Sequence, residues 1–323
     1  MKDFRDKIAV VTGGGTGMGR ELVLQLVAEG CRVAMCDVSE DNMAETKELA
    51  GGGDGVYVHV ADVANEEQVD AFRDGVVDSF ETEHVNLLFN NAGIGGGGEF
   101  VDGSRDEWER TFGVCWYGVY YCARAFMPLL VASAEGYIVN TSSVNGFWAS
   151  LGPGVPHTAY SAAKFAVKGF TEALINDLRL NAPHVKAAVV MPGHIGTSIG
   201  INTSKVLGNN SPLEMTADEV AAVRDRWMAM GMPVGNETDD QIRQAMHQRM
   251  LDFRDKAPTT AAQAATIILD GVREDRWRIL VGDDAHVLDE VVREAPELAY
   301  EPTFFERVQE RGHLRGILSG NDE

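Results

Sequence analysis

The sequence runs to 323 residues, 45% hydrophobic and 24% charged, a composition that can bury a sizeable core with no metal or disulfide to staple it. Its 49 acidic against 28 basic residues leave a formal charge of -21, which opposes nucleic acid and anionic lipid because every phosphate contact requires a basic group. Cys31, Cys36, Cys115 and Cys122 lack CxxC or metal-ligand spacing, so they read as reduced, buried thiols with no metal site.

Met1-Lys2-Asp3-Phe4-Arg5-Asp6 leads straight into an apolar strand rather than an export signal. No apolar run approaches the roughly 20 residues of a membrane span, so a cytoplasmic chain without membrane contact is expected. Short apolar runs then alternate with helix-period segments, the pattern of an α/β fold whose mostly parallel sheet is covered by helices on both faces. The first strand, Ile8 to Val11, enters Thr12-Gly13-Gly14-Gly15-Thr16-Gly17-Met18-Gly19, and a helix from Gly17 to Glu29 begins at once. Such a helix start offers free N–H groups and the positive dipole end to a phosphate, and glycines let a pyrophosphate approach without Cβ collisions. The spacing is TGxxxGxG rather than GxGxxG. Thr12, Gly13, Gly15, Thr16, Gly17, Met18 and Gly19 form the expected cofactor cradle, whereas Gly51 to Gly53 and Gly95 to Gly98 read as plain loops.

The second strand, Arg32 to Cys36, ends at Asp37, where a carboxylate accepts hydrogen bonds from an adenosine ribose and repels a 2'-phosphate. Val38 and Ser39 follow without an arginine, so NAD is favoured over NADP. Arg20 and Arg32 are the residues able to reverse that balance. The third strand, Val56 to Val60, brings Asp62 and Val63 to the adenine, and a helix follows from Glu66 to Phe80. The fourth, Asn86 to Phe89, closes in Asn90-Asn91-Ala92-Gly93 at the sheet edge where ligands bind in open α/β folds, which adds Asn91, Ala92 and Gly93 to the cofactor set. A long helix is expected from Asp106 to Leu130.

The fifth strand, Tyr137 to Asn140, leads into Thr141-Ser142-Ser143. A serine hydroxyl there can hold a substrate oxygen. Ser143 is preferred to Ser142 because Gly146 supplies a turn three residues on. In the loop that follows, Asn145, Trp148 and His157 are candidates for the substrate pocket, although Trp148 and His157 equally suit packing of the loop onto its neighbours. The helix from Ala159 to Leu180 opens with Tyr160 and Lys164 on one face. A free phenol has a pKa of about 10, and a nearby ammonium with an oxidised nicotinamide favours phenolate, so Tyr160 becomes the acid/base group and Lys164 its helper and a ribose ligand.

After the sixth strand, Lys186 to Met191, Pro192, Gly193, Ile195 and Thr197 form a turn against the nicotinamide amide. The next core element is about sixty residues away, too far for an ordinary loop. Residues 194–257 therefore read as an enlarged helical substrate lid, with helices near Ala217 to Met230 and Asp239 to Phe253. Its methionines, Met215, Met228, Met230, Met232, Met246 and Met250, suit a bulky hydrophobic alcohol or ketone, or else form the inner faces of amphipathic helices. A helix from Thr260 to Val272 and a seventh strand, Trp277 to Val281, complete a core of residues 5–193 and 258–282. Residues 283–323, with Phe304 and Phe305, form a C-terminal extension of the single domain, able to cover the pocket or a neighbouring subunit.

Taken together, TGxxxGxG at Thr12 to Gly19, NNAG at Asn90 to Gly93, Ser143, YxxxK at Tyr160 to Lys164 and PGxIxT at Pro192 to Thr197 give a chain that resembles the classical short-chain dehydrogenase/reductase family over residues 5 to 282. The resemblance implies a Rossmann-type doubly wound, seven-stranded sheet, a catalytic Ser143-Tyr160-Lys164 set, an NAD(P)-dependent exchange between a secondary alcohol and a ketone, and homodimers or homotetramers built on the long helices. One position departs from the family: Val114-Cys115-Trp116-Tyr117-Gly118 has Cys115 where an asparagine normally helps hold a relay water through a main-chain carbonyl at a helix distortion. Any residue supplies that carbonyl, so the relay is expected to survive, and a mid-helix thiol without a basic partner is expected to be inert. Two other readings share the fold: a cofactor-binding regulatory protein without turnover, and an epimerase or dehydratase, against which the TGxxxGxG spacing speaks.

Overall fold

β1 (Ile8–Thr12), β4 (Leu87–Asn90) and β5 (Gly136–Thr141) are buried at every position because each has strands on both sides and helices above and below. The computed structural model describes residues 1–311 apart from 153, 154, 230 and 302. With β2 (Arg32–Asp37), β3 (Val56–Val60), β6 (Val185–Pro192) and β9 (Arg278–Val281), these strands form one seven-stranded sheet in the order β3-β2-β1-β4-β5-β6-β9. Every pair is parallel. β7 (Ile195–Gly196) and β8 (Thr259–Thr260) make a separate parallel pair. This is the expected Rossmann-type, doubly wound α/β architecture. The order runs away from β1 in both directions, so a crevice opens at the carboxyl ends of β1 and β4.

Period-two alternation sorts the strand side chains between the faces. Val10, Leu88 and Ile138 share a core with Phe72 and Val76 of α3 (Glu66–Phe80), Phe126 of α5 (Gly118–Val131) and Leu174 of α6 (Thr158–Asn181). Val11, Phe89 and Val139 pack instead with Leu22 and Leu26 of α1 (Gly17–Ala28) and Ile268 and Leu269 of α10 (Ala261–Arg273). Each such side chain contributes roughly 1.5–3 kcal/mol on burial, enough to hold the strand ends, and the site built on them, in register.

Elements with a strong apolar period lie within a residue or two of expectation. α2 (Glu40–Leu49) has no counterpart among the expected helices, because its apolar positions are sparse and its start is set by Ser39, whose hydroxyl accepts the Asn42 N–H. The helix expected over Asp106 to Leu130 is two: α4 (Arg105–Phe112) and α5 are joined by a π-helical turn at Gly113–Tyr117. The stretch Arg105–Val131 is by length and composition alone long and apolar enough to cross a membrane, its most apolar 18-residue window having a mean hydropathy of 1.2. It contains no unbroken apolar run of spanning length because polar side chains interrupt it, and half of that window is buried inside the molecule as in a core helix.

The insertion after β6 contains α7 (Ile199–Leu207), α8 (Ala217–Ala229) and α9 (Asp239–Asp255). Met215, Met232 and Met246 pack with Val220, Trp227 and Ile242 in a small core of the insertion's own. Met230 lies outside the described residues. Past β9, α11 (Asp283–Glu294) and α12 (Thr303–Glu310) bring Leu288, Val291, Phe304 and Val308 against Val144 and Trp148. The tail beyond 311, and Pro153 and Gly154 of the loop before α6, also lie outside the described residues.

Candidate active site

Thr12 closes β1, and its hydroxyl accepts the backbone N–H groups of Asn91 and Ala92, both at 3.0 Å, so the ends of β1 and β4 are joined where the glycine turn begins. Gly13 (φ +67°) and Gly17 (φ +54°) adopt left-handed backbone that a side chain would strain. A Cβ on Gly19 would lie 2.0 Å from the Gly13 carbonyl oxygen. Thr16 caps α1 without a side-chain capping bond, which leaves the first-turn amides open. Gly13, Thr16, Gly17, Met18, Asp37, Val38, Asp62, Val63, Asn91, Ala92, Gly93 and Thr197 line one cleft over that helix start. Open amides, left-handed glycines and the Asn91 Oδ1, buried without a partner among the described residues, fit a dinucleotide.

Other expected cofactor residues act from behind. Gly15 donates its N–H to Asp37 Oδ2 at 3.0 Å, and Ile195 is buried in the core. Gly193, following Pro192 at the end of β6, backs onto the Asp284 carboxylate. Asp37 Oδ1 accepts the Ser39 N–H at 3.1 Å, and burial raises the Asp37 pKa above the ordinary carboxylate value against the pull of these N–H groups. Arg20 is engaged elsewhere: its guanidinium donates to the Gly15 carbonyl at 2.7 Å and to Glu45 at 2.5 Å. Arg32 begins β2, at the opposite end of the strand from Asp37, and donates to the Phe80 carbonyl at 3.1 Å. The lining residues that were missed include Arg110, paired with Asp62 at 2.6 Å; Asn202, whose amide donates to Thr16 Oγ1 at 3.0 Å; and Lys205. Asn202 and Lys205 belong to α7, inside the insertion, where no local pattern marks them as site residues.

Behind Gly93 of the cleft, α6 carries Lys164, whose Nζ lies 5.3 Å from the centroid of the Tyr160 ring. Ser143 makes a hydrogen bond with the Tyr160 phenol, whereas Ser142 donates to the Lys164 carbonyl at 2.7 Å and so holds α6 against β5. Lys164 is 2% exposed, and its Nζ donates to the Thr141 carbonyl at 2.9 Å, beside Gly93. The electrostatics correct the expectation that Lys164 depresses the phenol. Burial raises Tyr160 above its ordinary value, outweighing the hydrogen bond from Ser143, and burial lowers the Lys164 ammonium. Desolvation penalises both charged forms, so the chain by itself favours a neutral phenol.

Cys115 sits in the π-helical turn, fully buried, with its thiol donating to the Ile94 carbonyl at 3.1 Å. The helix distortion therefore persists without the asparagine. A basic partner is nevertheless present, since the thiol and Lys164 Nζ both border Gly93. Gly95 to Gly98 are more than a plain loop: Gly98 accepts the Thr158 N–H and Gly97 the Ala159 N–H, so the run straps the start of α6 beside Tyr160.

His157 stacks on Tyr160 with ring centroids 4.6 Å apart, and burial lowers its pKa to about 4. Asn145 and Trp148 serve the loop instead. The Asn145 amide donates to the carbonyls of Trp148 and Ser150, and Trp148, 4% exposed, packs on Phe304 and Phe305. Among the described residues, no group of three or more His, Cys, Asp or Glu side chains is placed to hold a metal ion.

A profile of the family described as short chain dehydrogenase matches residues 7–208. SadH of Mycobacterium tuberculosis, named as an oxidoreductase, is 34% identical over 294 residues, which are 91% of this chain and 92% of that protein. Among solved structures, a short chain dehydrogenase/reductase from Burkholderia phymatum in complex with NAD matches with TM-score 0.74 and 30% identity, covering 94% of this chain and 98% of that one. A metagenomic short-chain oxidoreductase in complex with NADP matches with TM-score 0.52 and 28% identity, covering 59% of this chain and 84% of that one. With the parallel sheet, the glycine cradle and these matches in agreement, the chain belongs to the short-chain dehydrogenase/reductase family of oxidoreductases.

Proposed function

We propose that this protein is an NAD-dependent dehydrogenase or ketone reductase that interconverts a secondary alcohol and a ketone. The reading is carried by the meeting of Ser143, Tyr160 and Lys164, with Lys164 Nζ beside Gly93, which lines the glycine-cradled cleft. Gly13, Thr16, Gly17 and Met18 would hold a pyrophosphate, Asp37 an adenosine ribose, Asp62 and Val63 the adenine, and Asn91, Ala92, Gly93 and Thr197 the nicotinamide side. When bound, the nicotinamide ring supplies the hydride acceptor or donor. Ser143 steadies the substrate oxygen. In the oxidative direction Tyr160, as phenolate, takes the hydroxyl proton; in the reductive direction the neutral phenol returns it to the carbonyl oxygen. Lys164, whose Nζ lies beside Gly93, would hold a ribose.

NAD over NADP is supported by the Asp37 carboxylate and by the engagement of Arg20 with Gly15 and Glu45. The retained π-helical turn supports catalysis over a purely regulatory role. We take residues 194–257 as the substrate lid within a single domain. Because Met215, Met232 and Met246 fill the lid's own core, methionine content lends no support to a bulky apolar substrate. Four buried free thiols support a cytoplasmic setting.

The test is Tyr160→Phe. Removal of the acid/base group lowers kcat by roughly a hundredfold or more while NADH binding, read by fluorescence, is retained. Unchanged turnover would sink the mechanism, and a higher kcat/KM with NADP than with NAD would sink the cofactor assignment.

A further inference from the structure

The C-terminal segment touches the backs of both turns that carry the proposed site. From α11, the Asp284 side chain, 6% exposed, accepts the His194 N–H at 2.6 Å and lies against Gly193, in the turn that follows β6. Its other oxygen has no partner among the described residues. A buried carboxylate without a paired cation is costly, so its hold on this turn is not incidental packing. From the stretch before α12, the Ala299 carbonyl accepts Trp148 Nε1–H at 2.9 Å and the Tyr300 hydroxyl accepts the Ala149 N–H at 3.1 Å. Phe304 stacks on Trp148 with centroids 5.0 Å apart. These contacts hold the turn running from Ser143 to Ser150. The two grips are mechanically linked, because Arg307 and Arg311, in and just after α12, donate to Glu294 at the end of α11 at 3.1 and 2.7 Å, and Asp289 of α11 accepts from Arg278 of β9 at 2.9 Å, fixing the pair to the sheet.

We propose that α11, α12 and the Ala299–Tyr300 stretch between them form a positioning clamp that sets the nicotinamide-side turn and the Ser143 turn relative to each other, with Asp284 and Tyr300 as its two contact points. The roles of the two turns rest on the proposed function; the clamp itself is a statement about their order. A gap of about 1 Å between a substrate-oxygen donor and a hydride partner can cost a hundredfold in rate, which is what such a clamp would prevent.

The experiment uses the full-length chain with Asp284→Asn and Tyr300→Phe, both close in volume to the original, and reads amide hydrogen exchange peptide by peptide alongside NADH fluorescence and steady-state kinetics. Asp284→Asn is expected to speed exchange about tenfold in the segment around 192–198 and to weaken NADH binding, leaving 143–150 protected. Tyr300→Phe is expected to loosen 143–150 and to lower kcat with NADH affinity unchanged. Exchange that rises evenly through the chain, or stays at wild-type rates in both turns, overturns the clamp and leaves the segment a mere cover. Exchange requires no turnover. A wild-type protein that oxidises no alcohol and reduces no ketone therefore counts against the proposed function, while the local exchange pattern still decides the clamp.

Discussion

At Tyr160 the balance of desolvation against hydrogen bonding sets the direction of pH dependence. The phenol is held above its ordinary pKa by burial, so phenolate is scarce at neutral pH and alcohol oxidation should accelerate with rising pH, approaching tenfold per unit, while ketone reduction, which needs the neutral phenol, should not. Rate profiles in both directions check this. His157 stacks on the same ring, and its pKa, lowered from 6.5 to about 4, leaves it neutral there. Protonation favours the unfolded chain, so the stability linked to His157 is complete above pH 6.5 and is lost as pH falls toward 4. His157→Asn should therefore leave the activity profile above pH 6.5 unshifted; a displaced limb there would make the imidazole the acid/base group. For Asp37→Ala, loss of charge-assisted hydrogen bonds worth roughly 1.5–3 kcal/mol should lower kcat/KM for NAD by about ten- to a hundredfold, with little change for NADP. Tyr160 and Lys164 were legible from their four-residue spacing. Their protonation balance was not, because burial belongs to the assembled core.

At the scale of elements, the interruption between α4 and α5 matters most. A π-helical turn at Gly113–Tyr117 places the Cys115 thiol on the Ile94 carbonyl, tying this turn to the segment that follows Gly93. Cys115→Ser keeps a donor and should be nearly neutral, whereas Cys115→Ala removes the bond and leaves a buried carbonyl short of a partner. A cost of about 1–3 kcal/mol is expected for the alanine variant, visible as a lower Tm with a reduced kcat. Equal Tm values for the two variants would show that the thiol anchors nothing. The strands and the long amphipathic helices were legible because apolar period encodes them directly. α2 and α7 were not: the first is started by its Ser39 cap and the second lies in a polar insertion, and neither offers a long apolar stripe.

For the whole molecule, α5, α6 and the turn before α5 leave aromatic side chains in solvent, with Tyr120 37% and Phe165 43% exposed, and Trp116 packs on both Tyr120 and Phe170. We infer that copies associate through these helices, on a face that includes Phe165. Phe165→Glu should shift the protein to a smaller species in light scattering; a mass identical to wild type would place the interface elsewhere. The formal charge of -21 opposes compaction, so Tm should also rise modestly with salt as repulsion is screened.

What the sequence determined by itself is local in origin. A turn that only glycine can follow, a tyrosine and lysine one helical turn apart, and seven apolar runs separated by amphipathic helices each declare themselves within a few residues, since backbone sterics and side-chain period act over that range. Tertiary structure alone decided that Arg20 is held by Gly15 and Glu45 and that Trp148 turns toward the C-terminal segment. Trp148 and its partner Ala299 are 151 positions apart, and no local pattern encodes a contact made only when the sheet edge brings those two segments together.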